Sequence, residues 1–236
     1  MRVEHHLVCG ELYEAERRAF VDLLAGLSGD DLARTVVATP LWSVQDVLAH
    51  VIGVAADLNR QDFGGSGTSD EWTARQVESR RGRTVAELAA EWDAEAPLFE
   101  DGLALFGYDL GAHYVSDLVQ HVADVQGTLQ VGEPPSADAV VASLDFLFES
   151  FDETVHEAAL GGVRVSLPDV DWVFGPNPVV ATVTASPWEV MRALAGRRDL
   201  AQIRALDWQG SADAIDALVP RFSRYDQPPG PITDLR

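Results

Sequence analysis

Apolar positions recur at helical spacing up to about residue 160 and give way to short β-branched runs after Gly161-Gly162. Over residues 4–27, Leu7, Leu12, Phe20, Leu23, Leu24 and Leu27 mark one face of a helix, which Ser28-Gly29-Asp30 ends. His5 and His6 are expected at its solvated start, and Cys9 reads as a small buried apolar residue. Thr39-Pro40-Leu41-Trp42 reads as a loop. Ser43 and Asp46 then form a capping box, opening a helix with Val44, Val47, Leu48, Val51 and Val54 as apolar surface. Residues 61–70 are a connection rich in Gly and Ser. A helix begins near Asp70 and is expected to run past Arg80-Arg81, and Thr84 and Glu87 cap another that reaches about Leu105. Pro97 is expected to kink or divide that helix.

Residues 107–131 carry the stripe Leu110, Tyr114, Leu118, Val122, Val125 and Leu129, again at helical spacing, and a further helix covers 137–160. Beyond it, Val163–Leu167, Asp171–Phe174 and Val179–Thr184 read as strands separated by Pro, Gly and Asn. Helices follow at 187–195, 197–206 and 212–219, the first with Pro187 in its opening turn and Gly196 at its end. The expected fold class is α+β: a helical domain over 1–160, then a small α+β domain over 161–236.

Composition narrows the partners. With 17 Lys and Arg against 38 Asp and Glu, the net charge is −21. An acidic surface of that size disfavours nonspecific binding to nucleic acid and to anionic membranes. No apolar run approaches the roughly 20 residues that span a bilayer. The opening Met-Arg-Val-Glu-His-His has no apolar signal region, and the single cysteine cannot form an internal disulfide. A cytoplasmic location is the expectation. A homodimer is compatible with such a chain, and no segment marks an interface.

His113, Asp117, His121 and Asp124 form a second, polar stripe on the 107–131 helix. It holds two His and no Lys or Arg, unlike an ordinary solvated face in so charged a chain. Asp117 and His121, four apart, can both reach one cation. His50, inside an apolar helix, is the candidate third donor; the plain alternative is a satisfied core histidine. Asp124 either orients a ligand from behind or faces solvent. Arg80 and Arg81 read as a solvated pair, with an anionic ligand as the alternative.

Three stretches resemble a known family. Trp42-Ser-Val-Gln-Asp-Val-Leu-Ala-His50 looks like the first motif of the mycothiol-dependent maleylpyruvate isomerase family, Asp117-Leu-Val-Gln-His121-Val-Ala-Asp124 like its second, and Leu194-Ala-Gly196-Arg197-Arg198 like a Gly-Arg signature in its C-terminal domain. The resemblance implies a DinB-like four-helix bundle followed by a small α+β domain. It also implies a divalent metal, zinc above all, held by His50, Asp117 and His121. The family most often has Glu at the position of Asp117. The shorter Asp requires a closer approach of the helix or a bridging water, and His113 is the substitute donor. Arg197 takes the role of carboxylate binder by the same resemblance, with a solvent-exposed arginine as the alternative. Arg198 is expected in solvent.

Three protein ligands on a tetrahedral ion leave one position open. The implied chemistry is a low-molecular-weight thiol, mycothiol, attacking a small electrophile, with a guanidinium suited to a substrate carboxylate. The implied activity is that of an isomerase or a thiol S-transferase. The alternatives are a non-catalytic metal-binding or regulatory module, Fe(II) and oxygen chemistry on the same donor set, and a metal-free bundle in which the three are core polar groups.

Overall fold

The structure, a computed structural model, describes residues 7–62, 64, 68–105 and 107–235. Compactness divides the chain into residues 1–139 with 234–236, and residues 140–233. The long helix expected at the end of the first domain falls almost wholly in the second unit.

The first unit is a four-helix bundle made of α1 (Cys9–Ala25), α3 (Val44–Asn59), α5 (Val85–Leu105) and α6 (Tyr108–Leu129). α1 and α3 each pack against both α5 and α6. A short helix α2 (Gly29–Leu32) and α4 (Ser69–Glu78) flank α3. Sequence and structure agree on the starts of α3 and α5, whereas α1 begins at Cys9 and not at residue 4. Ser43 and Asp46 form the predicted capping box, and Thr84 and Glu87 do the same for α5. Thr68 and Glu71 form another at α4, which the sequence reading did not single out. Buried Phe20, Leu48, Ile52, Leu88, Trp92, Leu118 and Val122 fill the interior.

Three expectations are corrected here. α5 runs through Pro97 undivided. Proline removes one amide donor, but buried Trp92, Ala96, Phe99 and Leu103 on either side of it hold the helix together. Residues 35–43 are not a simple loop; β1 (Thr35–Val36) and β2 (Thr39–Ser43) pair antiparallel. The helix after Asp70 stops at Glu78, short of the two arginines. His5 and His6 lie outside the described residues.

The second unit begins within α7 (Ala137–Ala158) and carries a sheet in the order β4-β3-β5-β6. β3 (Gly162–Ser166) pairs antiparallel with β4 (Asp171–Phe174) and parallel with β5 (Val179–Thr184). Val163, Val165, Ala181 and Val183 alternate inwards as strand periodicity requires. Phe148 and Phe151 of α7 pack on Phe174. The fourth strand, β6 (Asp207–Gly210), pairs with β5 and is absent from the sequence reading, which ended a helix there. Helices α8 (Pro187–Leu194), α9 (Leu200–Arg204) and α10 (Ala212–Leu218) complete the unit. Among the described residues no helix is long and apolar enough to cross a membrane. The fold class is α+β, a helical bundle followed by a small mixed-sheet domain.

Candidate metal centre

α3 and α6 bring His50, Asp117 and His121 together. One donor atom from each lies within 4.8 Å of the other two. Ligand atoms about 2.0–2.1 Å from a tetrahedral zinc sit about 3.3 Å apart, so small side-chain rotations would close the group on an ion. His121 Nε2 and Asp117 Oδ1 are 3.7 Å apart, longer than a hydrogen bond. The short Asp117 therefore reaches the group directly. His113, one turn earlier on α6, is not part of it; its ring stacks on Tyr114.

The surroundings are dry on one side and polar on the other. His50 and His121 are 4% and 6% exposed, and the side chain of Asp117 is 31% exposed. Trp42 of β2 packs against both imidazoles, with ring centroids 4.7 Å from His50 and 5.9 Å from His121. The polar stripe on α6 thus turns inwards. Asp124 is buried, with Oδ2 3.9 Å from His121 Nδ1, on the opposite ring nitrogen from Asp117.

Electrostatics follow from burial. Burial pushes the His50 imidazole below its ordinary value, while Asp117 and Gln76 pull it back up. His113 is lowered by burial in the same way, against the pull of Asp117. Burial raises the Tyr13 and Tyr114 phenols, and the Asp117 carboxylate adds to both. A neutral imidazole is the form that ligates a metal, so burial favours the state the site needs.

His50 also has a buried partner. Its Nδ1 lies 2.9 Å from Gln76 Oε1 of α4, and Gln76 Nε2 donates to Asp57 Oδ2 at 2.9 Å. Sequence reasoning missed Gln76, Asp57 and the covering role of Trp42. The available signal was Gly53, an isolated glycine in an apolar helix one turn after His50.

The arginines depart from expectation. Arg80 is buried and donates to Glu91 at 2.7 Å, so it is not a solvated residue; Arg81 is exposed and paired with Glu78. Arg198 is also buried. It holds Glu189 through a bidentate pair at 2.9 and 3.0 Å, which corrects its expected place in solvent. Arg197, in the second unit, is half-buried and its Nη1 donates to Ala195 O at 2.8 Å. It follows Gly196 (φ +73°), where a Cβ would come within 2.9 Å of Tyr225 Cβ. Cys9 is buried against α6 with Sγ 3.8 Å from Tyr108 O, and takes no part in the donor group.

Comparison with known proteins bears on the fold. No curated protein matches the chain. Two solved structures are similar in fold: a mycothiol-dependent maleylpyruvate isomerase (TM-score 0.56, 13% identity) and a variant of that enzyme with a histidine changed to alanine (TM-score 0.53, 11% identity). Each comparison covers 80% of this chain and 88% of the other. Residues 13–114 match the model of the mycothiol maleylpyruvate isomerase N-terminal domain, a span that includes His50 and stops just before Asp117. Over residues 13–114 the chain is thus similar to the N-terminal domain of the mycothiol-dependent maleylpyruvate isomerase family, and the two solved structures share its fold.

Proposed function

We propose that the chain is a metal-dependent enzyme that uses a low-molecular-weight thiol, mycothiol, on a small electrophile, as an isomerase of the maleylpyruvate type or as a thiol S-transferase. The convergence of His50, Asp117 and His121 on one point is the observation that carries this reading. Two imidazoles and a carboxylate suit zinc and leave a coordination position open. A bound zinc supplies a lowered pKa and a fixed orientation for a thiol at that position.

The chain's own residues have distinct roles in this reading. His50 and His121 offer buried nitrogen donors, and burial keeps the His50 imidazole unprotonated. Asp117 brings the one negative charge of the group and offsets part of the cation's. Trp42 covers the two imidazoles and keeps water off their faces. Arg197 is assigned to a substrate carboxylate, because a planar guanidinium binds carboxylate in bidentate fashion. The chemistry places the reaction among small diffusible molecules, and the bundle needs no nucleic acid or membrane for it.

Turnover of maleylpyruvate with mycothiol tests the reading. Wild type is expected to isomerise it only when thiol and metal are both present. His121→Ala should abolish turnover, and Arg197→Ala should raise KM for the diacid at least tenfold with metal content intact. A chain that binds one metal yet turns over neither maleylpyruvate nor other electrophiles with the thiol would be a metal-binding or regulatory module instead.

A further inference from the structure

Gln76 is a buried amide, 2% exposed, on the short helix α4, and nothing in thiol chemistry requires an amide there. Its two ends face groups that leave no choice of orientation. A carboxylate only accepts hydrogen bonds, so the end of Gln76 that meets Asp57 at 2.9 Å is the NH2. The end that meets His50 Nδ1 at 2.9 Å is therefore the carbonyl, which also only accepts. His50 Nδ1 must then carry the proton, and Nε2 keeps its lone pair. The assignment follows from the chemistry of Asp57 at the far end of the chain of bonds.

The packing around Gln76 is built to hold it there. Arg80 Nη1 donates to the backbone carbonyl of Gln76 at 3.0 Å, and Arg80 is itself buried and paired with Glu91. Gly53 supplies the space. A Cβ on Gly53 would stand 2.4 Å from Gln76 Cβ and 2.6 Å from its Cγ, so any larger residue there would push the amide away. Gly53 lies three residues after His50, so the helix that presents the imidazole also makes room for its partner.

We propose that Gln76, oriented by Asp57, is a positioning residue that locks His50 in its Nδ1–H tautomer and so keeps Nε2 available to the cation. The last step rests on the metal reading given above; the tautomer lock belongs to the metal-free chain. It acts as the hydrogen-bonded partners behind ligating histidines do, by fixing tautomer and ring orientation together.

Side-chain 15N NMR of the metal-free full chain reads the tautomer, and competition with a chromophoric chelator reads zinc affinity. Wild type is expected to show His50 protonated at Nδ1 alone. Gln76→Leu should mix the tautomers and weaken zinc about 10- to 100-fold. Gly53→Ala should do the same by displacing the amide. Gln76→Glu combined with Asp57→Asn keeps a donor facing an acceptor at both links, so the Nδ1–H tautomer and near wild-type affinity should return. A merely structural Gln76 would not show that reciprocal rescue. If Gln76→Leu keeps a single Nδ1–H tautomer or an unchanged zinc affinity, the lock is overturned. If Gln76→Leu does not fold, the reciprocal pair decides alone, and loss of the tautomer there overturns it too. Zinc uptake by no protein, wild type included, would refute the metal reading, and the tautomer signals would still decide the lock.

Discussion

Two polar clusters inside the helical bundle look alike in composition and differ in what completes them. Between α1 and α5, buried Arg17 meets Glu100 at 2.8 Å and Asp93 at 2.7 Å. Burial pushes the Glu100 carboxyl up, and the Arg17 guanidinium offsets part of that. Each charge there has its partner within the chain. Between α3 and α6, His50, Asp117 and His121 aim donors at one another, and the closest approach of Asp117 to His121 is 3.7 Å. The first cluster contains its own cation. The second is an arrangement of lone pairs and one negative charge, which a cation from outside would complete. Buried charge alone therefore does not mark a functional site; the sign and direction of the donors do.

The largest expected effect breaks the first cluster. Arg17→Ala leaves the Glu100 carboxylate without its buried partner, at a cost of about 2–4 kcal/mol once the solvent exposure of Asp93 is allowed for. Denaturant melts should show this loss equally with and without added zinc. His121→Ala should instead lower the metal-free melt only by the packing of one buried ring, and should in addition remove the stabilisation that zinc confers on the wild type. If zinc rescued Arg17→Ala selectively, or failed to distinguish the two variants, the contrast between the clusters would be lost.

A smaller effect sharpens the same contrast through pH. His50 and His113 sit below the ordinary imidazole value of 6.5, chiefly because they are buried. As pH falls below about 6.5 the unfolded chain takes up protons that the folded chain refuses. Stability of the metal-free protein should therefore decline as pH drops from 7 towards 5. His50→Leu should flatten that slope, whereas Arg17→Ala should only lower the whole curve. A wild-type stability that does not change over this range would contradict the burial of neutral imidazoles.

Much of the site was legible because it is written in helix periodicity. Asp117 and His121 share a face by spacing alone, and the inward turn of the polar stripe follows from its lack of Lys and Arg. Capping signals at Ser43 and Thr84 placed two bundle helices to the residue. What escaped depends on contacts between distant segments. Gln76 has no pattern of its own; it matters because α4 packs on α3 where Gly53 leaves a gap. Arg80 and Arg198 looked solvated because their partners, Glu91 and Glu189, are set by tertiary packing. The strands at 35–36 and 207–210 are too short to carry an alternation, and Pro40 argues locally against the pairing that β2 makes.

Calorimetric titration of zinc into the metal-free chain tests the central claim most directly. Wild type should take up one equivalent, and His50→Ala, Asp117→Ala and His121→Ala should each abolish that event while folding cooperatively. Uptake of zinc by His50→Ala or His121→Ala as tightly as by the wild type, or no uptake by the wild type at all, would show that these three residues do not hold a metal.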